Sequence, residues 1–330
     1  IVTVVGDKKI DFVDTHDDYG LSHKEALRLS KVMGLSSRYV VSNESKTTSD
    51  LCFEAAAKLI EDTNTPIENI GGLIFVTMSP DYSSPSSAIS LQHRLGLPNA
   101  SVCFDMTLGC SGFVYGLASS YGFIEAGLEN ILLCVGDVAS KIVDPSDHVV
   151  APIMGDAGSA ILITREQSKS LFNLYSDGSG YDALIIPNSG LRKNQKFDDS
   201  PPVLRMDGAA VFDFSLKRVP PLINNILENS KKNPKDVDYF LLHQPNKYML
   251  QSIKKRLSLD DHKVPHQTQS VYGNQNSASI PGTISGFLNE EFSKKKIVSL
   301  LAGFGIGLSW GSAIIETDNI YAPKSIHTEE

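Results

Sequence analysis

Phe104-Asp-Met-Thr-Leu-Gly-Cys-Ser-Gly-Phe113 reads as a strand that breaks into a glycine-flanked turn and continues as a helix. Gly109 and Gly112 let the backbone bend sharply and approach a substrate closely. The run from Phe113 to Gly127 is apolar nearly all round, the mark of a helix covered on every side. Cys110 stands at the entry to that helix, where the positive end of the dipole is expected to lower the thiol pKa and raise the reactive thiolate fraction. A cysteine in apolar surroundings is more often just a small buried hydrophobe. Two stretches far downstream bear on the choice.

In Asp238-Tyr-Phe-Leu-Leu-His-Gln-Pro-Asn246 an apolar strand ends in an imidazole, His243, followed at once by polar residues. In Tyr272-Gly-Asn-Gln-Asn-Ser-Ala-Ser-Ile-Pro281 a Gly-Asn turn would project the Asn274 amide from a loop leading into a helix. Singly, a histidine at a strand end is usually structural and Gly-Asn is usually only a turn. Together with Cys110 they make a Cys, His, Asn set. Gly303-Phe-Gly-Ile-Gly-Leu-Ser-Trp-Gly311 invites a dinucleotide-binding reading, but that fingerprint needs a helix next, and residues 308–315 look like a strand. A hairpin turn is the stronger reading.

The two halves of the chain echo one another. In the first, residues 69–77 form a strand, Cys110 opens a buried helix, residues 130–137 form a strand and Gly-Ser-Ala-Ile leads to the end of another at 163. In the second, a strand covers 236–243, Asn274 precedes a helix, a strand covers 296–303 and Gly-Ser-Ala-Ile leads to an end at 316. Strands this apolar, alternating with helical stretches, imply sheets covered on both faces. A duplicated α/β unit is expected, with halves at 1–165 and 166–330. The loop-rich stretch 164–205 joins them and is too long for a plain linker, so part of it is expected to carry strand or line a pocket. The charged tail from Tyr321 to Glu330 is expected to fray.

Composition sets limits on function. The chain has 330 residues, net charge −8 and 41% hydrophobic residues, and no apolar run approaches the ~20 residues of a membrane span. No secretory leader or transit peptide is visible, which leads to the expectation of a cytoplasmic protein. Cys52, Cys103, Cys110 and Cys134 show no Cys-x-x-Cys spacing, so neither a metal site nor a disulfide framework is expected. A mildly acidic chain without a basic stripe is a poor nucleic-acid binder.

With these motifs in order, and with Asp144-Pro-Ser-Asp147 and Met154-Gly-Asp-Ala-Gly-Ser-Ala160 between them, residues 35 to 316 resemble the β-ketoacyl carrier-protein synthase III enzymes of the thiolase-like superfamily. The resemblance implies a duplicated five-layer αβαβα core and a decarboxylative condensation. Cys110 would carry the acyl group. His243 and Asn274 would bind the thioester carbonyl of a malonyl group as it becomes an enolate, and the backbone N–H groups of Cys110 and Ile306 would form an oxyanion hole. The substrates would be phosphopantetheine thioesters, acyl groups on coenzyme A or acyl carrier protein and malonyl on the carrier, with no further cofactor and with a homodimer as the assembly.

The chemistry suits these residue types. A thioester exchanges readily with another sulfur, and covalent capture splits one difficult step into two easier ones. Neutral donors stabilise the enolate without a general base. Asn274, rather than an acidic residue, favours condensation over proton abstraction.

By the same resemblance Ser84, Met206, Gly305 and Gly307 would line the substrate pocket, and Lys254, Lys255 and Arg256 would dock an acidic carrier. That cluster follows helical apolar spacing at Met249, Leu250, Ile253 and Leu257, so a solvated helix face is the plain alternative. Departures concentrate at the substrate entrance. Residues 27–33 contain no aromatic, Ala209 and Asp213 stand where relatives often have Asn and Lys, and Ser84 replaces a bulky aromatic that often closes the acyl pocket. These departures suit an acyl group larger than acetyl, or a specialised acyltransferase or polyketide-type condenser of secondary or surface-glycan metabolism. A non-catalytic partner subunit is the remaining reading, and the intact Cys110, His243, Asn274 set argues against it.

Overall fold

The computed structural model describes residues 1–165, 170–197 and 200–329, apart from the side chain at 195. In chain order the strands are β1 (Val2–Val5), β2 (Lys8–Asp11), β3 (Ser37–Val40), β4 (Ile70–Val76), β5 (Val102–Met106), β6 (Asn130–Asp137), β7 (Ala157–Thr164), β8 (Leu171–Ser176), β9 (Leu184–Ile185), β10 (Arg205–Met206), β11 (Tyr239–Leu242), β12 (Lys296–Gly305), β13 (Ser309–Asp318) and β14 (Ile326–His327). The helices that matter here are α1 (His23–Leu29), α2 (Thr48–Asp62), α3 (Ser87–Arg94), α4 (Gly112–Glu125), α5 (Gly208–Ser230), α6 (Lys247–Leu257), α7 (Thr268–Val271) and α8 (Ser279–Phe287).

Two sheets carry the fold, one in the order β14-β1-β7-β6-β4-β5 and the other β11-β12-β13-β8. Laid side by side, β4, β6, β7 and β1 of the first match β11, β12, β13 and β8 of the second. In each sheet the first pair is parallel and the next two pairings are antiparallel. Both Gly-Ser-Ala-Ile segments fall on matching strands, β7 and β13. Helices α2 and α3 cover the outer face of the first sheet, α4 and α8 lie between the sheets, and α5 and α6 back the second. This is the five-layer αβαβα stack.

The central layer explains the near-continuous apolarity after Cys110. Phe113, Val114, Leu117 and Ile124 of α4 share one core with Val76 and Leu133 of the first sheet and Leu301 and Ala313 of the second. A helix sandwiched between sheets needs apolar side chains on most of its circumference. It also needs close approach: a Cβ on Gly112 would lie 2.4 Å from Val76 Cγ1 and one on Gly116 2.7 Å from Leu133 Cδ1.

The glycine-rich stretch after β12 is a hairpin, with Gly303 opposite Gly311 and Gly305 opposite Ser309. A strand follows the glycines, as the hairpin reading expects. Of the connecting stretch 164–205, residues 166–169 and 198–199 lie outside the described residues; within the rest, β8 joins the second sheet and β9 pairs with β10. The tail corrects the sequence reading. Val4 and Val5 pair with Ile326 and His327, Ala322 and Thr328 are buried, and Tyr321 donates to Asp62. Its charged composition gives no sign of backbone pairing with a strand at the other end of the chain. Glu330 lies outside the described residues.

Candidate active site

The chain leaves β5 at Met106, turns through residues 107–111 and enters α4. A Cβ on Gly109 would lie 2.4 Å from Met78 Sδ and 3.1 Å from Ile306 Cγ2, so a side chain there would displace the Met78 side chain beside the turn. Cys110 is 7% exposed, and the end of β12 passes directly against it: a Cβ on Gly305 would sit 2.8 Å from Sγ. Ser111 Oγ and Ser309 Oγ lie 2.6 Å apart, fastening the start of α4 to β13.

Burial pushes the Cys110 thiol up to about 12. Hydrogen bonds from the Ile306 and Cys110 backbone N–H groups oppose the rise, while the carboxylate of Asp137 adds to it. The lowered pKa expected from the helix terminus is therefore corrected: desolvation raises the group and favours the neutral thiol.

His243 follows β11 directly, and its backbone N–H donates to Ala302 O at 2.8 Å, continuing the pairing with β12. The ring is 2% exposed and meets Phe304 edge-on at 5.6 Å between centroids. Burial pushes the imidazole down to about 3, against a hydrogen bond with the Asn276 backbone. Nδ1 lies 3.2 Å from Ser279 Oγ at the start of α8.

Asn274 rests on the Met154–Ala160 motif. Its N–H donates to Ile153 O at 2.6 Å, its carbonyl accepts from Gly155 N–H at 3.1 Å, and Arg38 Nη1 braces Met154 O at 3.2 Å. A Cβ on Gly155 would lie 2.0 Å from Tyr272 O, which fixes glycine under the loop. Asn274 Oδ1 accepts from the Asn276 N–H at 3.0 Å. Asp144 and Asp147 close turns of their own loop, accepting from Ser146 N–H and Val149 N–H at 3.0 and 2.8 Å.

The three candidates therefore meet around a residue the sequence reading passed over. Asn276 Oδ1 lies 3.8 Å from Cys110 Sγ, while its backbone bonds both His243 and Asn274 Oδ1. Ser279 was passed over as well. Both lie in the quoted Asn274 stretch, where a second Asn and a Ser three residues later at a helix start are the available signals.

The remaining candidates are dispersed. Gly305 abuts the sulfur and Ile306 is half-buried beside it, but Gly307 is exposed at the turn. Met206 is half-buried and packs on the core that contains Phe304, Leu308 and Trp310. Ser84 is exposed on the loop before α3. In the basic cluster, Lys254 pairs with Asp261 and Arg256 Nη1 donates to Leu216 O at 2.9 Å, while Lys255 is exposed with no partner among the described residues. At the entrance, Ala209 is exposed and Asp213 pairs with Lys217 at 2.8 Å. A cavity of about 520 Å³ lined by Tyr19, Arg38, Ser140 and Ser146 lies behind the Asn274 platform, and none of the three candidates lines it.

The chain is similar to known proteins over nearly its whole length. Residues 104–178 match the family model for 3-oxoacyl-[acyl-carrier-protein] synthase III, and residues 227–317 match its C-terminal model. A putative 3-oxoacyl-[acyl-carrier-protein] synthase 3 of Campylobacter jejuni is 37% identical over 93% of this chain and 90% of that protein. A β-ketoacyl-[acyl-carrier-protein] synthase III of Streptococcus agalactiae is 33% identical over 92% of each. Among solved structures, a 3-oxoacyl-(acyl-carrier protein) synthase from Burkholderia xenovorans superposes with a TM-score of 0.94 at 31% identity, covering 99% of this chain and 95% of that one. With near full-length identity above 30% and with family models matching residues 104–178 and 227–317, the chain belongs to the β-ketoacyl-[acyl-carrier-protein] synthase III family.

Proposed function

We propose that the protein moves an acyl group from a thioester onto Cys110 and condenses it with malonyl-acyl carrier protein to give a 3-oxoacyl-acyl carrier protein. The observation that carries this reading is the enclosure of the Cys110 thiol by the Cys110 and Ile306 N–H groups, in a neutral site shared with His243 and Asn274.

In the first step Sγ attacks the thioester carbon, the thiol proton passes to the departing pantetheine sulfur, and the two backbone N–H groups receive the charge on oxygen. In the second step the malonyl C–C bond breaks, carbon dioxide leaves, and the electron pair forms an enolate held by His243 and Asn274. The enolate carbon attacks the acyl-cysteine, the C–S bond breaks, and the departing cysteine thiolate takes a proton from solvent. Phosphopantetheine thioesters supply the reacting groups, so no separate cofactor enters the scheme.

A homodimer fits the same reading. β5 is the free edge of its sheet and Val102 on it is 40% exposed; Ser84 is exposed on the loop before α3, where the family resemblance would have it meet the acyl pocket of a second subunit. Among the described residues no helix is long and apolar enough to cross a membrane, in keeping with a cytoplasmic setting. The altered entrance at Ala209 and Asp213 favours a second, narrower reading, a specialised condenser with an acyl group larger than acetyl.

Intact-mass measurement of acyl loading tests the reading. Wild type is expected to gain the acyl mass from a thioester and Cys110→Ala to gain none, with an unchanged melting temperature because Ala keeps the small apolar volume. Loading of Cys110→Ala at the wild-type rate would place the nucleophile elsewhere.

A further inference from the structure

We infer that Asn276 is a positioning residue for the Cys110 thiol, gripping it with the side-chain carboxamide while its backbone ties His243 and Asn274 into the same unit. The inference rests on the reading of Cys110 as the acylated nucleophile and names a residue which that reading does not use. Asn276 Oδ1 lies 3.8 Å from Sγ, within hydrogen-bonding range for sulfur. Its N–H donates to Asn274 Oδ1 at 3.0 Å, and its backbone bonds the His243 ring. One residue therefore touches all three members of the set.

Two further features favour a role in the site over a plain turn. Asn276 has φ +48°, a left-handed conformation that glycine adopts at least as readily and without burying an amide. Yet the residue is 1% exposed and its Nδ2 has no partner among the described residues, an arrangement that costs stability and so calls for a reason beyond the turn. Accepting from S–H, Oδ1 favours the neutral thiol and fixes the direction of the sulfur lone pairs. The titratable group that acts on this thiol is Asp137, which raises it.

The test compares wild type with Asn276→Gly, which keeps the turn and removes the carboxamide, and Asn276→Asp, which keeps an oxygen beside the sulfur. Iodoacetamide labelling of Cys110 is followed by peptide mass at about pH 8, alongside acyl loading by intact mass. Removing the acceptor is expected to speed Cys110 alkylation about threefold or more, since each unit of thiol pKa is about tenfold in thiolate. Asn276→Asp is expected to slow it by a similar factor. Acyl loading of Asn276→Gly is expected to fall at least about tenfold with KM little changed, because orientation and not binding is lost.

Opposite shifts in alkylation are a signature that a turn-forming role does not produce. Alkylation rates for both variants within about twofold of wild type would overturn the inference. Should Asn276→Gly fail to fold, Asn276→Asp decides alone, a slower rate supporting the contact and an unchanged rate refuting it. Failure of wild type to load any acyl group would instead sink the proposed function, while the alkylation series would still read the Asn276–Cys110 contact.

Discussion

Cys110 and His243 titrate far from neutrality and in opposite directions, the thiol at about 12 and the imidazole at about 3, both because burial penalises the charged form. Between these limits both groups are neutral, so on the proposed mechanism thiolate character would develop only as the proton leaves and the backbone N–H groups take up charge. No inflection from His243 is then expected in the rate near its ordinary pKa of ~6.5; an inflection there that vanished in His243→Ala would show a charged ring in the working enzyme. The same neutrality suits an enolate, which needs donors and not a base. His243→Ala and Asn274→Ala are accordingly expected to slow malonyl decarboxylation by about 10²–10³ while affecting acyl loading far less, since the proposed oxyanion hole at the Cys110 and Ile306 N–H groups would survive. Carbon dioxide release from acyl-loaded variants, measured beside loading by mass, checks the split. Equal losses in both half-reactions would remove the assignment.

At the scale of elements, the site depends on how strand ends are tied to their neighbours. Asp137 ends β6 and its Oδ1 accepts from Met78 N–H at 2.7 Å, Thr77 Oγ1 at 3.0 Å and Ser79 Oγ at 3.2 Å. It thereby holds the loop whose Met78 lies under Gly109, next to Cys110. Burial lifts this carboxyl to about 7, those hydrogen bonds opposing it, and Oδ2 has no partner. A folded pKa above the unfolded value for an acid means that the folded state binds more protons, so this group's contribution to stability falls as pH rises from about 4 to about 7. Asn keeps the accepting oxygen and cannot ionise. Asp137→Asn is therefore expected to be more stable than wild type above pH ~7, by up to about 4 kcal/mol, with a higher melting temperature, and to lose that advantage near pH ~4. Thermal melts across pH check this, and a constant offset would deny the buried ionisation. These elements were legible where the signal was local. The apolar runs placed β6 and β12, the glycine-flanked turn placed α4, and two Gly-Ser-Ala-Ile segments disclosed the duplication. β14 was not legible because its partner is β1, at the far end of the chain. The thiol pKa and the reach of Asn276 escaped because burial and contact sum over segments that only the fold assembles.

For the whole molecule, the net charge of −8 sets a repulsive background for an acidic carrier, so any docking face must be a local exception. The last turn of α6 offers Lys254, Lys255 and Arg256, and cations at a helix C-terminus are favourable for the dipole whatever they bind. The three are not equivalent. Lys254 is engaged by Asp261 and Arg256 by the Leu216 carbonyl, which anchors α6 to α5, so replacing either would disturb the fold along with the field. Lys255 is exposed and, among the described residues, unpaired, and it isolates the electrostatic question. Lys255→Glu is expected to lower kcat/KM for carrier-bound malonyl substrate by about threefold to tenfold at low salt, acting on encounter, with the loss shrinking as salt screens charges beyond about 8–10 Å. Acyl loading from coenzyme A should change less than about twofold, because that small ligand does not present a protein surface to α6. A salt series with both substrates decides the matter: equal losses would point to a distorted site, and no loss with the carrier would leave Lys255 an ordinary surface cation whose charge serves only the end of its helix.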